Sequence, residues 1–309
     1  MAATVDTPTT ADRPATLEEM NLTTGKRTRL RRLLYDYGTR NGRAMFLPYD
    51  QGLEHGPRDF FANPDAADPR YIFRLAKAGR FNGVAVQIGV AQRYYADFAG
   101  EIPLIVKLNG KTDLPPDAQA LSPLNATVEE AVALGADAVG YTLYVGSPAQ
   151  PQDFAQMQAV RRECDRYGMP LIVWSYPRGE AVSEKGGKDS VYAIDYAARV
   201  AHELGADVIK INVPKAGPSK GGQKPYDSLD EPLEESIRRV VRSCGTSLVL
   251  ISGGEKTSDE GLIEKARVPL EAGATGLIFG RNLWQRSWDD ALAMCDRLRD
   301  LLTAVGGPA

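Results

Sequence analysis

Eight short apolar runs punctuate this chain, at residues 44–48, 83–86, 104–108, 138–142, 171–174, 208–212, 248–252 and 276–279. Each is nearly continuous rather than alternating, which predicts strands buried on both faces. Between them lie polar stretches whose apolar positions recur at helical spacing, at 128–133, 154–166, 193–204, 233–243 and 260–272. Strands alternating with helices predict right-handed βαβ units and a parallel sheet. A turn pattern recurs as well. Gly135-Ala136-Asp137, Gly205-Ala206-Asp207 and Gly273-Ala274-Thr275 each precede a strand, the glycine closing a helix. Eight such units match a (β/α)8 TIM barrel, an α/β fold that needs about 250 residues. An open doubly wound sheet normally carries a glycine-rich phosphate loop after its first strand. Here that strand runs into Tyr49-Asp50-Gln51-Gly52. Ahead of the barrel, Leu30, Leu33, Leu34 and Tyr37 predict an extra amphipathic helix from Lys26, its basic face outward. Residues 1–22 read as a mobile N-terminal tail and 23–309 as one barrel domain.

Composition narrows the function. The 309 residues are 43% apolar and 25% charged, with a formal net charge of −3, so no bulk charge marks a nucleic-acid binder. Cys164, Cys244 and Cys295 form no C-x-x-C pair, which fits a reducing compartment and a cytoplasmic location. His55 and His202 are too few for a three-histidine zinc site. No run is long enough to span a bilayer, and the N-terminal stretch lacks a signal-peptide core.

In such barrels the chemistry lies at the C-terminal ends of the strands. Lys210, within Asp207-Val208-Ile209-Lys210-Ile211-Asn212, ends the sixth run. A desolvated lysine loses proton affinity and becomes an amine able to attack a carbonyl. The same position also fits a lysine snorkelling to solvent. Asp50, after the first run, fits a proton carrier or an Asx-turn. Tyr176 fits an acid/base whose pKa a nearby cation lowers, or an aromatic wall. Trp174 reads as wall. Lys107 fits a second pocket cation that depresses Lys210, or the partner of a carboxylate. Ser252-Gly253-Gly254 and Gly280-Arg281 end the last two runs, where barrels commonly bind phosphate. Glycine lets backbone N–H groups approach an anion, and the arginine adds a charged fork. The segment 214–225, with Lys215, Lys220 and Lys224, reads as a mobile loop over the mouth.

Taken together, the stretches LPYDQGLEHGP (47–57), KLN (107–109), VWSYPRG (173–179), DVIKIN (207–212), ISGGEK (251–256) and AGATGLIFGRNLWQR (272–286) resemble the archaeal-type class I fructose-bisphosphate aldolases, also called the DhnA family. The resemblance runs in order from about residue 40 to 290. It implies a metal-independent enzyme with no cofactor beyond a covalent imine on Lys210. It implies Tyr176 as proton-transfer residue, Asp50 as the acid after strand one, and Trp174 as pocket aromatic. Ser252, Gly253, Gly280 and Arg281 would hold phosphate, and Arg178 would contact substrate. The implied reaction is reversible cleavage of fructose 1,6-bisphosphate, by a homo-oligomer that in relatives is often a decamer. Many relatives read Asp-His-Gly where this chain has Asp50-Gln51-Gly52. The alternatives are a related aldolase, synthase or thiolase acting on another phosphorylated ketose or dicarbonyl, and a non-catalytic sugar-phosphate-binding barrel.

Overall fold

The structure is a computed structural model and describes residues 13–254 and 256–308. Residues 1–12 of the expected tail lie outside the described residues. The strands are β1 (Ala44–Tyr49), β2 (Gly83–Gln87), β3 (Leu104–Lys107), β4 (Ala138–Val145), β5 (Leu171–Pro177), β6 (Val208–Ile211), β7 (Leu248–Ser252) and β8 (Gly276–Ile278). They pair in parallel in chain order, and β8 closes onto β1 as a barrel. Helix α1 (Thr24–Arg31) precedes the barrel. Helices α2 (Gln51–Glu54) and α3 (Pro69–Ala78) follow β1, α4 (Ile88–Tyr94) follows β2, α5 (Val128–Ala133) follows β3, and α6 (Gln150–Tyr167) follows β4. Helices α7 (Glu180–Glu184) and α8 (Val191–Glu203) follow β5, α9 (Leu233–Ser243) follows β6, α10 (Asp259–Glu271) follows β7, and α11 (Arg281–Trp284) and α12 (Trp288–Ala304) follow β8. Ser190, Ser258 and Ser287 start α8, α10 and α12 by each accepting a backbone N–H that the first helical turn would otherwise leave unpaired.

Two cores follow from the two faces of each strand. Val106, Val139, Val173, Ile209 and Val249 pack outward under the helices. Ile105, Ala138, Ile172, Val208 and Leu250 fill the barrel interior. Side chains on one face recur every second residue. The same interior face therefore runs from Ile105 to Lys107, from Ala138 to Gly140, from Ile172 through Trp174 to Tyr176, from Val208 to Lys210, and from Leu250 to Ser252. Strand parity alone gathers polar groups at the upper end of an otherwise apolar barrel.

The opposite end is closed by the N-terminal segment. Leu17, Leu30, Leu33 and Leu34 are buried with the interior residues, and Arg13 pairs with Glu19. Residues 13–22 thus pack against the barrel floor, where the sequence reading had a tail; Leu17 supplies the apolar anchor. The basic face of α1 is also not wholly outward. Lys26 is buried, 2.9 Å from Asp207 and 2.7 Å from Asp165. Asp207 also accepts the Leu171 N–H, and Arg32 meets Asp137. The aspartates of the recurring Gly-Ala-Asp turns are the docking points for this helix and for Arg32, the residue that caps its C-terminal end.

Candidate active site

Lys210 and Trp174 are in register on adjacent strands β6 and β5. Lys210 is 7% exposed and Trp174 fully buried. The Lys210 Nζ lies 2.5 Å from the Tyr176 hydroxyl, above the Trp174 ring at 5.5 Å from its centroid. Burial lowers its pKa to about 8; Lys107 and Arg281 add to the fall, while Asp50 and Glu54 oppose it. At pH 8 about half of such a lysine is free amine, where an ordinary lysine is almost wholly protonated. The snorkelling alternative does not describe this side chain, because the barrel encloses it.

Tyr176 behaves differently from its sequence expectation. Its pKa goes up, through burial first and then through Glu54 and Asp50, which outweigh the cations Arg178 and Lys107. The group is a neutral phenol at neutral pH. It starts as a proton donor.

Lys107 is fully buried. Its Nζ is 2.9 Å from Glu54 and 3.4 Å from Asp50, and 5.1 Å from the centroid of the same Trp174 ring. Burial alone would lower its pKa, but the two carboxylates outweigh that and raise it. Lys107 is thus both a carboxylate partner and a cation that lowers Lys210. Asp50 is 3% exposed, and its Oδ2 has no hydrogen-bond partner.

The two loop ends expected to hold an anion sit side by side. The Ser252 hydroxyl donates to Asn212 Oδ1 at 2.6 Å. The Asn282 amide donates to Gly253 O at 3.2 Å, tying the loop after β7 to α11. A Cβ on Gly280 would lie 3.0 Å from Gln51 Nε2 and from Pro48 O, so only glycine fits comfortably there. Gly254 has φ +62°, a conformation open to glycine. Arg281 is partly exposed, 3.8 Å from Asp59, which also meets His55 at 2.8 Å.

Arg178 stands at the margin. Its guanidinium is 3.1 Å from Asp117 and lies over the Tyr176 and Tyr144 rings. Beyond it opens a cavity of about 1020 Å³, lined among others by Lys188, Lys215 and Lys220. The segment 214–225 is tethered rather than loose. Lys215 N–H donates to Asp189 O, Ser219 N–H donates to Tyr226 O, and the Tyr226 hydroxyl donates to Asp195.

Sequence reasoning missed Glu54, Gly140 and Asn212. Glu54 lies four residues beyond Asp50, one helical turn away, within the same motif. Gly140 leaves space for the indole: a Cβ there would come within 2.6 Å of the Trp174 ring and 3.0 Å of Lys107.

A weakly basic amine held against a neutral phenol, with carboxylates alongside and glycine loops opposite, can form and discharge an imine with a carbonyl compound. The class so defined is that of Schiff-base lyases on a barrel. The chain belongs to the DeoC/LacD family of aldolases, whose pattern matches residues 44–286. It is 43% identical over 264 residues to the class 1 fructose-bisphosphate aldolase of Thermoproteus tenax, covering 85% of this chain and 90% of that protein. It is 34% identical over 269 residues to a Methanocaldococcus jannaschii protein named fructose-bisphosphate aldolase/6-deoxy-5-ketofructose 1-phosphate synthase, covering 84% and 81%. Among solved structures it is similar to an archaeal fructose-1,6-bisphosphate aldolase whose catalytic lysine carries the carbinolamine intermediate. That match has TM-score 0.75, 40% identity, and covers 88% of this chain and 99% of that one. Among the described residues, no helix is long and apolar enough to cross a membrane.

Proposed function

We propose that the chain is a class I fructose-bisphosphate aldolase that reversibly cleaves fructose 1,6-bisphosphate to dihydroxyacetone phosphate and glyceraldehyde 3-phosphate. The observation that carries this reading is the depressed Lys210 amine, 2.5 Å from the Tyr176 hydroxyl. Lys210 attacks the ketone carbon and gives a carbinolamine. The Tyr176 phenol donates its proton to the departing hydroxyl, water leaves, and the protonated imine forms beside the phenolate. The phenolate then takes the C4 hydroxyl proton as the C3–C4 bond breaks, its electron pair moving to the iminium nitrogen. Glyceraldehyde 3-phosphate departs, Tyr176 returns the proton to the enamine carbon, and hydrolysis frees dihydroxyacetone phosphate. Asp50, at the strand-one end of the pocket, moves protons at the carbinolamine stage.

In this reading Ser252, Gly253, Gly254, Gly280 and Arg281 hold the ketone-end phosphate. The second phosphate faces the cavity edged by Arg178, Lys188 and Lys215. Its cations favour a bisphosphate over a monophosphate. We place the enzyme in the cytoplasm as a homo-oligomer. The double name of the Methanocaldococcus jannaschii relative supports a second reading, in which the same imine serves another phosphorylated ketose or dicarbonyl.

The test is incubation with dihydroxyacetone phosphate and borohydride, followed by peptide mapping and a substrate panel. A stable adduct on Lys210, with faster cleavage of fructose 1,6-bisphosphate than of fructose 1-phosphate, is the expected outcome. No adduct on Lys210 overturns the aldolase reading and leaves a binding barrel.

A further inference from the structure

One partly exposed carboxylate is left without a task in the scheme above. Glu54 ends the single turn of α2 and reaches Lys107 at 2.9 Å, closer than Asp50 does at 3.4 Å. Lys107 is fully buried, so it needs a counter-charge. One carboxylate would neutralise it. The pocket supplies two, and the Asp50 Oδ2 faces Lys107 at 3.4 Å without forming a hydrogen bond. With Lys210 as a free amine, Asp50, Glu54 and Lys107 together carry one surplus negative charge. An imine with a carbonyl is a permanent cation as long as it stays protonated. The Lys107 and Lys210 ammonium positions face the same Trp174 ring, at 5.1 Å and 5.5 Å from its centroid, and both carboxylates act electrostatically on Lys210.

We propose that Glu54 is a positioning residue for the imine reaction: it takes the shorter contact with Lys107, leaving Asp50 the longer one, and it supplies the negative charge that the protonated imine on Lys210 neutralises. The inference rests on the aldolase reading. The ionisable groups facing Lys210 are Asp50 and Glu54 after β1, Lys107 on β3, Tyr176 on β5 and Arg281 after β8. Removing the Glu54 charge leaves Asp50 and Lys107 a neutral pair before reaction, and the set they form with the imine positive after it. Both the ammonium and the imine then lose stabilisation. The amine becomes free at lower pH, yet the imine it forms is less favourable.

The experiment compares wild type, Glu54→Gln, Glu54→Asp and the double variant Glu54→Gln/Lys107→Met in the full chain. It measures kcat and KM across pH, and borohydride-trapped Lys210 adduct at fixed dihydroxyacetone phosphate. For Glu54→Gln the expected result is a kcat lower by about 10- to 100-fold, KM within about threefold, less trapped adduct, and an acid limb moved to lower pH. Glu54→Asp should recover part of the rate. The double variant restores one surplus negative charge through Asp50 alone, so its acid limb should return toward that of wild type. A counter-ion that merely steadied Lys107 would change the melting temperature and leave the acid limb in place; that result overturns the proposal. So does a double variant whose acid limb stays with that of Glu54→Gln. A wild-type protein that traps no adduct on Lys210 sinks the aldolase reading itself, whereas normal trapping in both wild type and Glu54→Gln sinks only this inference.

Discussion

At the scale of single residues, Lys210 shows how activity and stability oppose each other. Its pKa is about 8 in the fold, against about 10.4 in an unfolded chain. The unfolded state therefore binds more protons between those values, and stability rises with pH across that window. Above it the lysine is neutral in both states; below it the fold carries a buried charge that the unfolded chain solvates. Lys210→Met should abolish cleavage and imine trapping. It should also raise stability at pH 7 by roughly 2–3 kcal/mol. Thermal melts should show that gain shrinking as pH climbs from 8 toward 10.5, and a variant less stable than wild type at pH 7 would refute the argument. Lys210 was legible in the sequence because a cation inside an apolar run is conspicuous. Glu54 was not, because its neighbours in the motif are polar too. Nor was the true state of Tyr176: the cations near it were foreseeable, but the burial and the two carboxylates that outweigh them belong to tertiary structure.

At the scale of elements, all eight strands were legible, and α5 and α9 even to their ends. β4 and β5 run past the apolar runs that announced them, reaching Val145 and Pro177. Tyr144 and Tyr176 pair across them in register, so aromatic residues with polar tips continue strands that hydropathy alone would stop. The Gly-Ala-Asp turns were legible as helix ends, while the use of Asp137 and Asp207 as sockets for α1 needed the three-dimensional arrangement. That docking also depends on close backbone approach: a Cβ on Gly25 would fall 2.8 Å from the Gly168 Cα. Lys26→Met leaves Asp207 buried without its main cation, and removal of one partner from such a pair typically destabilises by about 3–5 kcal/mol. The floor is distant from the chemistry. Denaturant unfolding should show a loss near 3 kcal/mol with kcat within about twofold of wild type. Lys26→Met/Asp207→Asn should recover part of the loss; if it does not, the charge left behind is not what destabilises the single variant.

For the whole molecule, the surface near the mouth bears on assembly. Phe61 is 82% exposed and Leu114 is 89% exposed. They lie on the loops after β1 and β3, which an Arg58–Asp113 ion pair ties together. Two bare apolar side chains on joined loops suit a contact between subunits more than contact with water. A stable interface buries roughly 1,200–2,000 Å² in all, so these two residues would be anchors within a larger patch. Aromatic anchors carry a disproportionate share of such energy. Phe61→Asp/Leu114→Asp should therefore weaken self-association by about 100-fold or more, seen as a lower mass by light scattering at micromolar concentration. Asp50 and Glu54, which follow β1, and Lys107, which ends β3, line the active site at the roots of these two loops, so dissociation should also lower kcat modestly while the barrel stays folded by circular dichroism. A variant that keeps the wild-type mass would move the subunit contact elsewhere on the barrel, and a monomeric wild type would remove the homo-oligomer from the proposed function.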